Sequence, residues 1–144
     1  MSGDVEAVQD ALHAEHAAVW TYGLVSAFVE QQAAAVAEGA VAHRARRDTT
    51  ERWVRDRGGQ PVPPAPAYLT PQPVDGAASA VAALVAAETD ACAAWHGVLE
   101  RTDDQALRRS ALDALTTSAV LATRWRKVAG VTPVPVALPG VAAG

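Results

Sequence analysis

The sequence contains few of the residues on which many small folds and sites depend. It has one cysteine, Cys92, so neither a disulfide framework nor a thiolate zinc site of the usual kind can form within the chain. We therefore expect a reducing compartment, the cytoplasm. A glycine-rich phosphate loop and a nucleophile elbow are also missing from the sequence. These absences exclude the enzyme classes that are easiest to recognise from a motif.

Long apolar runs and excess positive charge are likewise absent. The stretch AASAVAALVAA is too short and too rich in alanine to span a bilayer, and the first residues, MSGDVEAVQD, lack a basic region followed by an apolar core. The net charge of -4 argues against a nucleic-acid module. We expect a soluble, cytoplasmic protein that binds neither nucleic acid nor membrane.

What the sequence does contain is helical periodicity, which appears four times, whereas convincing strand alternation is absent. Three predicted helices cover residues 4–31, 34–57 and 77–101, and a fourth begins after an N-cap at Thr102 or Asp103 and ends near Gly130. The short connections within each pair predict two antiparallel hairpins. The fold class is therefore all-α, a four-helix bundle formed by residues 1–130.

The segment between the two hairpins, residues 58–76, reads GGQPVPPAPAYLTPQPVDG. Its prolines forbid a helix and favour extended polyproline conformation. Such a segment of 19 residues can reach about 59 Å, whereas a helix of 24 residues is about 36 Å long. The linker can thus cross the whole bundle. Two hairpins joined by one long crossover is the connectivity of ferritin-like bundles.

Two glutamates occupy positions where a bundle helix is expected to be apolar. Glu15 lies in the middle of the apolar stripe of the first helix, and Glu88 has the same central place in the third. His43 and Arg47 lie on the stripe of the second helix at the level of Glu15. Ferritin-like di-metal proteins give buried acids a purpose, because iron or manganese ions take oxygen and imidazole ligands from the middle of all four helices.

The complete di-metal pattern is, however, not present. It requires one Glu from each of two helices and Glu-x-x-His from each of the other two. The second helix reads AVAH, with Ala40 in the place of the Glu, and the fourth reads DALT, with Asp113 in the Glu place and Thr116 in the His place. Three ligands of the required types remain, namely Glu15, His43 and Glu88. The sequence predicts a degenerate site.

A buried carboxylate must be protonated, bound to metal, or paired. We predict that Arg47 pairs with Glu15, because its guanidinium keeps its charge and can hold two carboxylates. The polar core network would then comprise Glu15, His43, Arg47, Glu88, Asp113 and Thr117, with no cofactor. The alternative is an iron or manganese protein, a metal-binding protein or oxidoreductase, whose ligands are Glu15, His43 and Glu88.

The chain also resembles a family, the uncharacterised ferritin-like domains that are common in actinobacteria and are known as a domain of unknown function. The matching stretches are AEHAAVWTYG in the first helix, AHRARRD in the second, PAPAY in the linker, an acid among alanines in the third helix, and ATRWR before a proline-rich end. The resemblance covers nearly the whole chain. It implies a ferritin-like four-helix bundle and carries no established reaction.

The last segment, residues 131–144, is an apolar tail whose prolines exclude a helix. A tail this apolar is expected to find a surface. We expect Val134, Val136 and Leu138 to lie along a groove of the bundle; the alternative is a peptide that docks on a partner protein. A homodimer is left open as well. Together these features predict a non-catalytic interaction or assembly module.

Overall fold

A computed structural model of the chain describes residues 3–132, 134 and 136–141, and every long element in this part of the chain is a helix. The helices are α1 (Gly3–Val25), α2 (Ala33–Asp56), α3 (Ala77–Arg101) and α4 (Gln105–Ala129), and a short 3-10 turn over Glu30–Gln32 leads into α2. No strand occurs among the described residues. The prediction of an all-α four-helix bundle is confirmed.

Two predicted helix ends are wrong. The first helix ends at Val25, six residues before the expected Gln31, because the chain turns there and buries Val29 in the core. The N-cap of α4 is Asp104, whose carboxylate accepts a hydrogen bond of 2.8 Å from the amide of Leu107. Thr102, one of the two predicted N-caps, donates instead to Asp4 at the start of α1, at 2.9 Å.

The helices pack as two antiparallel hairpins joined by a long crossover. Extensive packing joins α1 with α2, α1 with α3, and α3 with α4. The linker runs along α1: the carbonyl of Gln60 accepts a hydrogen bond from Gln9 at 2.7 Å, and the ring of Tyr68 lies 5.9 Å from that of Trp20, further along the helix. Because the linker follows α1 from its beginning towards its end, α2 and α3 run parallel to each other.

The core consists of two apolar clusters. One lies around Val8, Val54, Trp95 and Leu107, and the other around Tyr22, Val25, Val36, Leu84 and Trp125. Gly39 on α2 allows the close approach of the second cluster, since a Cβ atom there would lie within 2.6 Å of two ring carbons and the hydroxyl oxygen of Tyr22. Both clusters consist almost entirely of apolar side chains, so the buried polar side chains that lie between them need hydrogen-bond partners among themselves.

The helices differ in the number of residues that they bury in the core. α2 contributes five buried residues and α3 contributes eleven. Among the described helices, α3 is long and apolar enough to cross a membrane by length and composition, but half of its most apolar window is buried inside the bundle. Core helices of soluble proteins meet the same criterion, so α3 does not by itself indicate a membrane.

The described part of the tail contacts its own bundle. Gly140 has a positive φ of 87°, and a Cβ atom there would lie 2.6 Å from the carbonyl oxygen of Cys92 on α3. Val136 lines a cavity that the tail forms with α3 and α4, whereas Leu138 is 66% exposed, so the expectation that Leu138 lies in a groove is wrong. Pro133 and Pro135, on which the expected tail conformation partly rests, lie outside the described residues.

Candidate functional site

The middle of the bundle holds an imidazole ring between two carboxylates. Nδ1 of His43 lies 2.5 Å from Oε2 of Glu15, and Nε2 lies 2.9 Å from both carboxylate oxygens of Glu88. His43 is 3% exposed, Glu15 1% and Glu88 0%. The sequence placed these three residues in one layer, and the structure brings them into direct contact.

Three aromatic side chains extend the layer. The indole of Trp95 donates to Oε1 of Glu15 at 2.9 Å, and the hydroxyl of Tyr22 donates to Oε2 of Glu88 at 2.5 Å. The indole of Trp125 donates to the Tyr22 oxygen at 2.8 Å. Among the described residues, every fully buried side-chain nitrogen and oxygen has a hydrogen-bond partner. The six side chains therefore form one satisfied network, which we call the central layer.

The spacing along α1 and α3 explains why the carboxylates meet these partners. Tyr22 follows Glu15 by seven residues, and Trp95 follows Glu88 by seven, so each acid shares a helix face with an aromatic residue two turns further on. The two helices are antiparallel. The aromatic residue of each helix therefore lies beside the acid of the other.

The charge state of His43 follows from its neighbours. Burial by itself lowers the pKa of His43, but the hydrogen bonds to Glu15 and Glu88, together with their charges, outweigh it and raise that pKa from 6.5 to about 10. A protonated ring donates from both nitrogens, which is what two facing carboxylates require. Burial and the charge of Glu88 raise the pKa of Tyr22, so its hydroxyl keeps its proton.

The single cysteine does not belong to this network. Burial, followed by the charge of Glu88, raises the pKa of Cys92 to about 12. The thiol is within hydrogen-bond distance of the carbonyl of Leu115, at 3.8 Å. Cys92 therefore stays a protonated, buried thiol at neutral pH and is no candidate for a nucleophile.

Three residues that we assigned to the network from the sequence do not join it. Arg47 is 28% exposed, and its Nε donates to the neighbouring Asp48 at 2.9 Å. Asp113 and Thr117 on α4 are exposed. The assignment of Arg47 is corrected for a physical reason: its long side chain reaches solvent, where the guanidinium escapes the cost of burial. His43, and not an arginine, lies between the two carboxylates.

Sequence reasoning missed the aromatic members of the layer. Tyr22, Trp95 and Trp125 were not among the residues that the sequence assigned to the polar network. The available signal was their chemistry, because a buried tyrosine hydroxyl or indole N–H nearly always has a partner. His16 is also buried, beneath the linker, where its Nε2 lies 2.9 Å from the carbonyl oxygen of Val62.

The central layer borders a cavity of about 360 Å³ between α2 and α4. Glu15 and His43 lie at its deep end, and Thr117 lines its α4 wall. The remaining lining residues are small or lie at the rim: Ala42, Ala45, Arg46, Thr49, Ala114 and Ser118. The cavity gives solvent-sized molecules a route to a layer that is otherwise enclosed.

The arrangement does not fit a bound iron or manganese ion. Among the described residues, no group of three or more His, Cys, Asp or Glu side chains is placed to hold a metal. The reason lies in His43: its two nitrogens point in opposite directions, one at Glu15 and the other at Glu88. An ion bound to either nitrogen would face one carboxylate and have the other on the far side of the ring, so the three candidate ligands cannot surround it.

Comparison with known proteins places the chain in a family whose activity is not known. None of the curated proteins matches it. The structure of a conserved hypothetical protein from Mycobacterium tuberculosis is similar, with a TM-score of 0.84 and 38% sequence identity over 89% of this chain and 99% of that one. A family model described as a domain of unknown function, DUF4439, matches residues 7–143. The chain therefore belongs to the DUF4439 family.

Proposed function

We propose that this protein is a non-catalytic ferritin-like module in which a proton-bearing central layer takes the place of a di-metal site. The observation that carries the proposal is the position of His43, whose two ring nitrogens are both within hydrogen-bond distance of carboxylates. Protons on these nitrogens would compensate the buried acids in the way that metal ions do in di-metal bundles.

The ferritin-like part of the proposal is supported by connectivity and by position. The long crossover along α1 is the connection that ferritin-like bundles have and simple up-and-down bundles lack. Glu15 and Glu88 come from the middle of α1 and α3, as do the single-Glu ligands of di-metal bundles. In place of a second pair of acids, this chain has the three aromatic donors of the central layer.

The interaction part of the proposal rests on the outer face of α4. Leu112, Val120 and Val128 are about half exposed, and Leu138 of the tail is exposed as well. Exposed apolar side chains that recur along one helix are typical of contact surfaces. We propose that this face binds a second copy of the chain or another protein of the cytoplasm.

The experiment that tests the proposal measures metal content. The protein is expressed with iron and manganese available, purified without chelator, and subjected to elemental analysis and to melting with and without added Fe(II) or Mn(II). We expect far less than one metal ion per chain and no increase in melting temperature, because binding to the folded state alone would raise it.

The matched variants are Glu88→Ala in the central layer and Glu100→Ala, an exposed acid on the same helix. About one or more metal ions per chain, lost in Glu88→Ala and retained in Glu100→Ala, would contradict the proposal. That result would establish the second candidate function, an iron or manganese protein with an atypical ligand set, for which the cavity beside Glu15 and His43 would be the entry path.

A further inference from the structure

Polar groups at the deep end of the cavity between α2 and α4 have hydrogen-bonding capacity that the folded chain leaves unoccupied. Ser118 lines the cavity, and its hydroxyl forms no hydrogen bond with another described residue. Since every fully buried polar atom in this part of the chain has a partner, this hydroxyl is not sealed off but is open to the cavity. Other helical hydroxyls of this chain bond to the carbonyl four residues earlier, as Thr50 and Thr123 do. A hydroxyl that faces a cavity and has no protein partner can both donate to and accept from a molecule bound there.

The charges around the cavity are also incompletely paired. In the central layer two carboxylates, Glu15 and Glu88, face one imidazole, so the layer has one carboxylate more than it has cations. Glu15 is the acid that lines the cavity. Both of its oxygens accept one hydrogen bond each, and a carboxylate oxygen can accept two. The deep end of the cavity is therefore suited to a cation that donates hydrogen bonds.

The rim of the cavity has the opposite character. Arg46 lines it, is half-buried, and forms no ion pair among the described residues, whereas Arg47, Arg55 and Arg124 each pair with an acid. Arg46 follows His43 by three residues, which is about one helical turn. An acceptor-rich deep end and a guanidinium without an ion pair therefore line one and the same cavity.

We propose that this cavity binds a small zwitterion, a molecule with an ammonium group at one end and a carboxylate at the other. The ammonium donates to the carboxylate of Glu15 and to the hydroxyl of Ser118, and the ligand carboxylate accepts from Arg46. The alanine side chains of the walls contact the carbon chain between the two groups. A volume of about 360 Å³ is enough for such a molecule. This inference goes beyond the structural role proposed for the central layer.

The test is a titration of the full chain by calorimetry and by ligand-observed NMR. The probes are 3-aminopropanoate, 4-aminobutanoate and 5-aminopentanoate, with butylamine and butanoate as molecules that carry only one of the two groups. We expect at least one of the three zwitterions to bind about tenfold more tightly than butylamine and butanoate, the loss expected for one charge-assisted hydrogen bond. No binding of any zwitterion, or equal binding of butylamine, would overturn the proposal.

Variants locate the bound molecule. Ala45→Leu fills the mouth of the cavity and Arg46→Gln removes the rim cation, so each should weaken zwitterion binding about tenfold or more. The matched controls are Ala37→Leu and Arg44→Gln, which change exposed residues of the same helix outside the cavity. Circular dichroism and melting confirm that each variant is folded. Binding that survives Ala45→Leu, or that is lost equally in the controls, would place the probe elsewhere and refute the assignment.

Discussion

The two hairpins contribute to the central layer in different ways. α1 and α3 are equivalent: each supplies one glutamate and, seven residues later, one aromatic donor that bonds to the glutamate of the other helix. α2 and α4 are not equivalent. α2 supplies His43 to the middle of the layer, whereas at that level α4 presents Ala114 and Ser118, whose small side chains leave the cavity open.

This difference shows which contacts hold the hairpins together. The network crosses from the first hairpin to the second through Glu88, which is within hydrogen-bond distance of both Tyr22 and His43, and through Trp95, which donates to Glu15. The α1 and α3 pair is thus joined twice by buried hydrogen bonds. α2 and α4 face each other across the cavity. A molecule can therefore enter or leave the cavity without breaking the hydrogen bonds that join α1 to α3.

The largest effect is expected from the residue that has no counterpart in the second hairpin. His43→Leu removes the cation between two buried carboxylates, and we expect the free energy of unfolding to fall by about 3–5 kcal/mol. Urea denaturation measures this fall. His96→Leu, on the partly exposed face of α3, is the control and should cost less than about 1 kcal/mol. Similar losses in the two variants would mean that His43 is not the ion that the layer depends on.

A change of pH tests the same residue without mutation. The pKa of His43 is raised from 6.5 to about 10 in the folded protein, so its contribution to stability is fully present below pH 6.5 and is lost as the pH rises through 10. Between pH 7 and pH 9 the free energy of unfolding should fall by up to about 1.4 kcal/mol per pH unit.

His43→Gln is the control for this pH dependence, since it retains a polar side chain that does not titrate. The slope in this variant should be close to zero between pH 7 and pH 8 and should stay below that of the native protein up to pH 9. The thiol of Cys92 is a second source of instability, because its pKa is 9.0 in the unfolded chain and is raised by burial in the folded protein. Its contribution begins near pH 8 and is common to both proteins, so the difference between their slopes reports His43. Parallel slopes in the native protein and in His43→Gln would show that some other group titrates.

The equivalence of α1 and α3 is tested by removing one of the crossed hydrogen bonds. Tyr22→Phe keeps the ring but leaves Glu88 with one donor fewer and the indole of Trp125 without its acceptor, so we expect a loss of about 1.5–3 kcal/mol. Tyr68→Phe makes the same change in the exposed linker, where the hydroxyl accepts a hydrogen bond from the amide of Ala65. There we expect less than about 1 kcal/mol by the same denaturation experiment. Equal costs would remove Tyr22 from the network.

The sequence was sufficient for the parts of the layer that depend on helical period. Glu15, His43 and Glu88 lie on apolar stripes, and a stripe predicts which side chains face the core. It does not predict which buried polar atoms will meet, because that depends on how far one helix is shifted along another. The crossed bonds of Tyr22 and Trp95 therefore appear only in the folded structure.

For Arg47 the sequence predicted a contact that the structure does not contain. The stripe of α2 predicted that its backbone position faces inward, but the direction of the Cβ atom does not determine where a long, flexible side chain ends. The end of α1 was missed for a related reason. The chain turns after Val25 so that Val29 can pack against residues distant in sequence, and local periodicity contains no information about that contact.

The smallest expected effect concerns the residue that sequence reasoning placed in the layer. If α2 supplies His43 alone, then Arg47→Leu removes only a surface pair with the adjacent Asp48 and should change the free energy of unfolding by no more than about 0.5–1 kcal/mol. Arg44→Leu, at an exposed position on the same helix, is the matched control and should behave alike. Added salt should reduce the Arg47 effect, because exposed ion pairs are screened and buried ones are not. A loss of about 3–5 kcal/mol in Arg47→Leu, insensitive to salt and absent from Arg44→Leu, would instead place a second cation of α2 in contact with the buried acids.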